Sequence, residues 1–169
     1  MQLKRTEQAA RERAGLLARL REMAAVAPSL DELERDMVEA IAARIPYYDW
    51  TGFYMLDPQD PETLVLGSFV GELTWHVRIP VTEGICGAAV ASGETVLVDD
   101  VNADSRYLSC SIQTKSEIVV PIRAAGRVVG ELDIDSHTPA AFTEIDREFL
   151  EEAARIVGAY IEKHGGKAI

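Results

Sequence analysis

Apolar residues recur every three to four positions at the start of the chain and every second position through its middle. These two periods divide it into helices and strands. Over residues 5–25, basic residues alternate with Leu16, Leu17, Leu20 and Met23, which predicts an amphipathic helix that Pro28 ends. Ser29, followed three residues later by Glu32, reads as a capping box for a second helix through Ala43, stopped by Pro46. The segments WTGFYML, TLVLGSF and HVRIPV then read as short strands. Residues 84–91 predict a short helix closed by Gly93, and ETVLVDD another strand. Residues 101–115 are polar and long for a structureless connection. Strands over 117–123 and 127–135 follow. Thr143 then caps a last helix with Ile145, Phe149, Ala153, Ile156 and Tyr160 on one face. Helices, then strands, then a helix argue for an α+β fold with a mainly antiparallel sheet.

The last two strands predict a face. Arg123 to Arg127 fits a three-residue hairpin loop with Gly126 in the left-handed region, pairing Arg123 with Arg127 and Glu117 with Asp133. Ile118, Val120, Ile122, Val128, Leu132 and Ile134 then share the core face. The other face receives Glu117, Val119, Val129, Glu131, Asp133 and Asp135. A slip by one residue would put acids into the core, which the cost of burying charge forbids.

Composition narrows the function. The 169 residues suit one compact domain over 1–169, with N-terminal helices in 1–45, the sheet, short helix and long loop in 49–136, and a C-terminal helix in 143–164. The net charge of −11 disfavours nucleic acid and anionic membrane surfaces and suits a cationic or ammonium-bearing ligand. No apolar run reaches the length of a membrane span. The charged N-terminus lacks the apolar stretch of a signal peptide, so a cytoplasmic location is expected.

Candidate chemistry rests on two cysteines. Cys86 lies just inside the predicted short helix, in GICGAAVA, where a small buried residue is the plain reading. A helix N-terminus would lower its pKa. Cys110 lies in the polar loop SRYLSCSIQTKSE, where core packing explains it less well. Asp133 and Asp135 share a strand face by period two, and on pattern alone solvent exposure is the plain reading of both. Trp50 and Tyr54 read as half-buried packing, and His76 as a partly exposed strand residue. No short ligand spacing among His76, Cys86 and Cys110 supports a metal centre, and no cofactor is expected. The N-terminal apolar stripe suits packing within the domain or a homodimer contact.

The stretches DWTGFYML, TLVLGSFVGEL, HVRIPVTEGICGAAVASGETVLVDDV, SEIVVPI, GELDIDS and FTEIDREFLE give the chain a resemblance to the GAF-domain free methionine-(R)-sulfoxide reductases. They run in the family's order from Asp49 to Glu151. The resemblance implies a GAF-like fold, with the terminal helices on one sheet face and a ligand pocket on the other. It implies reduction of free methionine-(R)-sulfoxide with thioredoxin or another dithiol as reductant. It assigns Cys110 as catalytic, Cys86 as the helix cysteine, Glu117, Asp133 and Asp135 as the acids, and Trp50 and Tyr54 as the aromatic wall for the substrate methyl. Well-known members carry a third cysteine just before VRIP that commonly resolves the catalytic one. Here that position is His76, so either Cys86 or an external thiol must resolve Cys110.

Sulfoxide reduction needs a sulfur nucleophile and an acid. Clustered carboxylates raise one another's pKa, so one is expected to stay protonated and donate to the sulfoxide oxygen, while the others hold the substrate ammonium. Two competing readings follow from the same residues: a non-catalytic GAF sensor for a small ligand, and a redox switch that cross-links Cys86 and Cys110. No output domain is expected after residue 169, which disfavours a one-chain sensor.

Overall fold

The computed structural model describes residues 2–109 and 111–165, so Cys110 lies outside the described residues. Six strands form one antiparallel sheet in the order β3-β2-β1-β6-β5-β4. They are β1 (Trp50–Asp57), β2 (Asp60–Val70), β3 (Arg78–Pro80), β4 (Val96–Val98), β5 (Ser116–Ala124) and β6 (Arg127–Ser136). Three helices, α1 (Gln2–Val26), α2 (Leu30–Arg44) and α4 (Glu144–Lys163), cover one face, and α3 (Gly84–Ser92) lies on the other. This is the expected α+β layering.

Local signals explain the ends. The Ser29 hydroxyl accepts from the Glu32 amide at the start of α2. Gly93, at φ 67°, closes α3 in the left-handed region that glycine adopts freely. At α4 the Asp146 carboxylate accepts from both the amide and the hydroxyl of Thr143. The helix-side core gathers Leu20, Leu33, Met37 and Ile41 against Phe53, Ile118, Val120, Ile122, Leu132, Ile134, Phe149 and Val157. Within it, Asp146 binds Arg13 at 3.3 Å, the Tyr47 hydroxyl at 2.5 Å and the Tyr48 hydroxyl at 2.8 Å, tying α1 to the start of α4. The stripe of α1 thus packs within the domain from Arg13 onward.

The β5–β6 hairpin departs from its predicted register. Glu117 pairs with Asp135 and Val119 with Asp133, two residues from the expected pairing. The loop has two residues, not three: Ala125 (φ 50°) and Gly126 (φ 75°) both take positive φ, the pattern of a tight primed turn. A bulge follows between Ile122 and Arg123. A shift of two keeps side chains on their faces, so the acid face stands as predicted beyond the bulge. Before it the faces exchange: Val129, expected with the acids, packs against the helix-side core, and Val128 does not.

Candidate active site

The sheet face opposite the terminal helices is built from alternate residues of three adjacent strands. β6 contributes Glu131, Asp133 and Asp135, and β5 contributes Glu117 directly beside Asp135. On the other side, β1 places Trp50 beside Asp135, Gly52 beside Asp133 and Tyr54 beside Glu131. Gly52 matters because a Cβ there would collide with the Trp50 ring, so the bare backbone lets the indole lie across it. Trp50 stacks on Tyr54 (ring centroids 6.2 Å apart) and on Phe69 (5.5 Å). The indole N–H donates to the Glu72 carbonyl at 3.1 Å, and the Tyr54 hydroxyl to the His76 carbonyl at 2.7 Å. The expected aromatic wall therefore adjoins the acids.

Helix α3 covers this face. In this seat Gly87 lets α3 pack close to the end of β3, since a Cβ there would lie 2.6 Å from the Val81 carbonyl oxygen. The seat brings Cys86 Sγ within 3.5 Å of Asp133 Oδ2, to which the thiol donates. The long connection folds back over the same region. Val101 and Lys115 are tied by a backbone hydrogen bond, Tyr107 and Leu108 pack beside α3, and the Ser109 carbonyl contacts His76 Nε2 at 3.2 Å. His76 is half-buried and precedes β3, where the sequence predicted a strand residue.

The acids are not solvent-exposed, which corrects the plain reading of their pattern. Glu117, Glu131, Asp133 and Asp135 are 6, 0, 4 and 5 % exposed. Both oxygens of Glu131, and Oδ1 of Asp133 and of Asp135, have no hydrogen-bond partner among the described residues. None of these three acids forms an ion pair there with a basic side chain. Burial pushes Asp133 up to about 6, with Glu117 and Cys86 pulling it back. Burial lifts Glu131 well above the carboxylate range, and burial with the Asp133 charge does the same for Asp135. Cys86 is also raised well above the usual thiol value, by burial first and then by the charges of Asp133, Glu131 and Glu117. The helix N-terminus does not win, because desolvation and three anions outweigh a partial dipole charge. The strand pattern places Glu131 on the acid face, and the family resemblance assigns it no role. Its complete burial comes from α3, which strand periodicity does not report.

Two small cavities open beside the cluster. One of about 10 Å³ is lined by Tyr54, His76, Cys86, Leu108, Glu117 and Asp133. The other, of about 20 Å³, is lined by residues including Trp50, Leu73, Ser111, Thr114 and Asp135. Each has room for about one water.

A curled antiparallel sheet with this pocket face defines a GAF domain, and the GAF domain family matches residues 29–161. The chain is 39 % identical to the free methionine-R-sulfoxide reductase of Saccharomyces cerevisiae over 64 % of its length and 61 % of the yeast protein. It is 38 % identical to the enzyme of that name from Escherichia coli, over 64 % of each chain. The chain thus spans somewhat less than two thirds of these curated relatives. The structure is similar to that of the free methionine-R-sulfoxide reductase of Neisseria meningitidis in complex with its substrate, with TM-score 0.87, 33 % identity, and 95 % of this chain and 93 % of that one covered. The chain belongs to the GAF-domain family and, within it, to the free methionine-R-sulfoxide reductases.

Proposed function

We propose that this protein reduces free L-methionine-(R)-sulfoxide to L-methionine, with Cys110 as nucleophile. The observation that carries the reading is the buried set Glu117, Asp133 and Asp135 beside Trp50, an anionic basin whose β6 acids lack a basic partner among the described residues. Such a basin suits an ammonium group, and the adjoining indole suits an S-methyl. Cys110 is assigned by its family position. Its neighbours Ser109 and Ser111 support that assignment, Ser109 through the His76 contact and Ser111 at the rim of the larger cavity.

In the proposed cycle the Cys110 thiolate attacks the sulfoxide sulfur. Oxygen is transferred to Cys110 as a sulfenic acid, one proton is taken up, and methionine leaves. A carboxyl held in its neutral form, Asp135 or Asp133, supplies the proton. A dithiol then condenses with the sulfenic acid, releasing water, and its second thiol frees Cys110. Alternatively Cys86 condenses first, releasing water and giving a Cys86–Cys110 disulfide that an external dithiol reduces by two exchanges, although burial in its protonated form makes Cys86 a slow nucleophile. Thioredoxin or a similar dithiol protein is the proposed reductant. Leu73, Trp75 and Ile112, all exposed on the two connections around the pocket, offer it an apolar surface. The cavities are too small for an amino acid, so binding requires the 71–77 and 101–115 connections to yield.

The test is an epimer-resolved assay of free methionine sulfoxide. The R-epimer should be consumed with dithiothreitol as reductant, and Cys110→Ser should abolish that turnover. Cys86→Ser should spare turnover with dithiothreitol. A loss confined to thioredoxin-driven turnover would identify Cys86 as the resolving thiol, and equal rates with both reductants would remove it from that role. A protein that binds methionine sulfoxide without consuming it is a sensor, and the proposal then fails.

A further inference from the structure

We propose that Cys86, Glu117 and Asp133 form a site for one soft divalent cation, best suited to zinc, and that the ion reversibly blocks the basin. The blocking half rests on the reductase reading above. The binding half does not.

The donor geometry comes first. Cys86 Sγ and Asp133 Oδ2 are 3.5 Å apart. With zinc–sulfur and zinc–oxygen bonds of about 2.3 and 2.0–2.2 Å, a tetrahedral ion separates a sulfur from an oxygen ligand by about 3.5 Å. Two donors therefore already stand at ligand spacing. One oxygen of Glu117 completes a triad whose atoms all lie within 4.8 Å of one another. Closing that gap asks for a shift of about 1 Å, within the reach of side-chain rotation. The three donors come from α3, β5 and β6, so the backbone beneath them is ordered secondary structure.

The second observation is independent of that geometry. Asp133 Oδ1, Asp135 Oδ1 and both Glu131 oxygens are buried without a hydrogen-bond partner among the described residues. A buried carboxylate with no partner is costly, and a bound cation reverses the local balance. The adjacent cavity of about 10 Å³ selects among ions. Magnesium retains several waters and calcium takes six to eight oxygens, so neither fits. A thiol with two carboxylates favours zinc, cobalt or cadmium. Binding converts Cys86–SH and M²⁺ into a thiolate–metal bond and releases one proton, with no redox change.

The experiment uses reduced, chelator-stripped protein carrying Cys110→Ser, so that Cys86 is the single thiol. Cobalt(II) is titrated in, and the thiolate-to-cobalt charge-transfer absorption reports the sulfur ligand. One equivalent should bind and zinc should displace it, while millimolar magnesium or calcium should not. Adding Cys86→Ser should remove the band. Asp133→Asn and Glu117→Gln should each weaken zinc on the order of 10- to 100-fold. Circular dichroism confirms that each variant is folded. If Cys86→Ser does not fold, the two amide variants still decide the matter.

Absence of the band in Cys110→Ser, its persistence after Cys86→Ser, or unchanged affinity in both amide variants overturns the site. With the natural Cys110 present, zinc should inhibit sulfoxide turnover competitively and a chelator should restore it. Bound zinc that leaves turnover unchanged overturns the blocking half. Cobalt binding in a protein that never reduces the sulfoxide overturns the reductase reading alone.

Discussion

Raising the pH from 5 to 8 is expected to cost the ligand-free protein several kcal/mol of stability, because its buried acids fold best with their protons on. Asp133 is moved by burial from 3.8 to about 6. Glu34, 2 % exposed beneath the helix layer, is moved from 4.5 to about 7, chiefly by burial and slightly by Asp31, against a hydrogen bond from the Ser68 backbone. A carboxyl raised on folding contributes stability that is complete below its unfolded pKa and is lost as pH rises through its folded value. Between pH 5 and 8 this linkage removes about 1–2 kcal/mol through Asp133 and about 2–3 kcal/mol through Glu34. Glu131 and Asp135, raised by the same burial, add to the loss. Carboxyls lowered on folding, such as Asp146 and Glu151, act below the ordinary carboxylate range and leave this window untouched. The raised thiol of Cys86 acts above it. The assay is urea unfolding at pH 5, 6, 7 and 8, read as midpoint with the slope checked for constancy. Asp133→Asn and Glu34→Gln should each flatten the profile by the stated amount, and additively, since they lie on opposite faces of the sheet. A wild-type profile that is flat or rises toward pH 8 would refute the reasoning, as would an Asp133→Asn profile parallel to it.

Three further outcomes follow. Gly52→Ala drives a methyl into the Trp50 ring and should cost about 1–3 kcal/mol of stability; steady-state kinetics should also show a raised KM for the sulfoxide, from displacement of the aromatic wall. Gly158→Ala places a Cβ against the Arg123 carbonyl, where α4 crosses β5, and should lower the thermal midpoint through a similar or larger loss while leaving KM unchanged. Asp146→Ala strands the Arg13 guanidinium, 8 % exposed, and removes the acceptor of both tyrosine hydroxyls, so urea unfolding should register a loss of about 3–5 kcal/mol.

Much of the fold was legible because its signals are local. Ser29, Gly93 and Thr143 mark helix ends by chemistry confined to one turn, and all three act there. Period two assigned Ile118, Val120, Leu132 and Ile134 to the core, because alternation depends on the strand alone. The HVRIPV segment shows where local signals stop. The strand begins only at Arg78, since pairing with β2 is what makes it one: the Val77 carbonyl still accepts from the Leu66 amide, and His76 lies outside the β2 register.

The hairpin and its acids carry the same distinction into the site. A three-residue loop and a two-residue loop both fit Ala124-Ala125-Gly126; what separates them is whether Ala125 accepts positive φ, a choice settled by twist and by the bulge beside it. That error moved the pairing by two, so it changed Glu117's partner from Asp133 to Asp135 and left the acid face intact. Burial was the larger miss. Alternation states that Glu131, Asp133 and Asp135 share a side and is silent on what lies above them. The cover comes from α3 and from the returning connection with Tyr107 and Leu108, segments 20 to 50 residues away in the chain. Cover turns an acidic face into a basin, because carboxylates in water carry their solvent, whereas both Glu131 oxygens and one oxygen each of Asp133 and Asp135 have no hydrogen-bond partner among the described residues. The chemistry proposed for this protein therefore depends less on the presence of acids than on the helix and the returning connection that cover them.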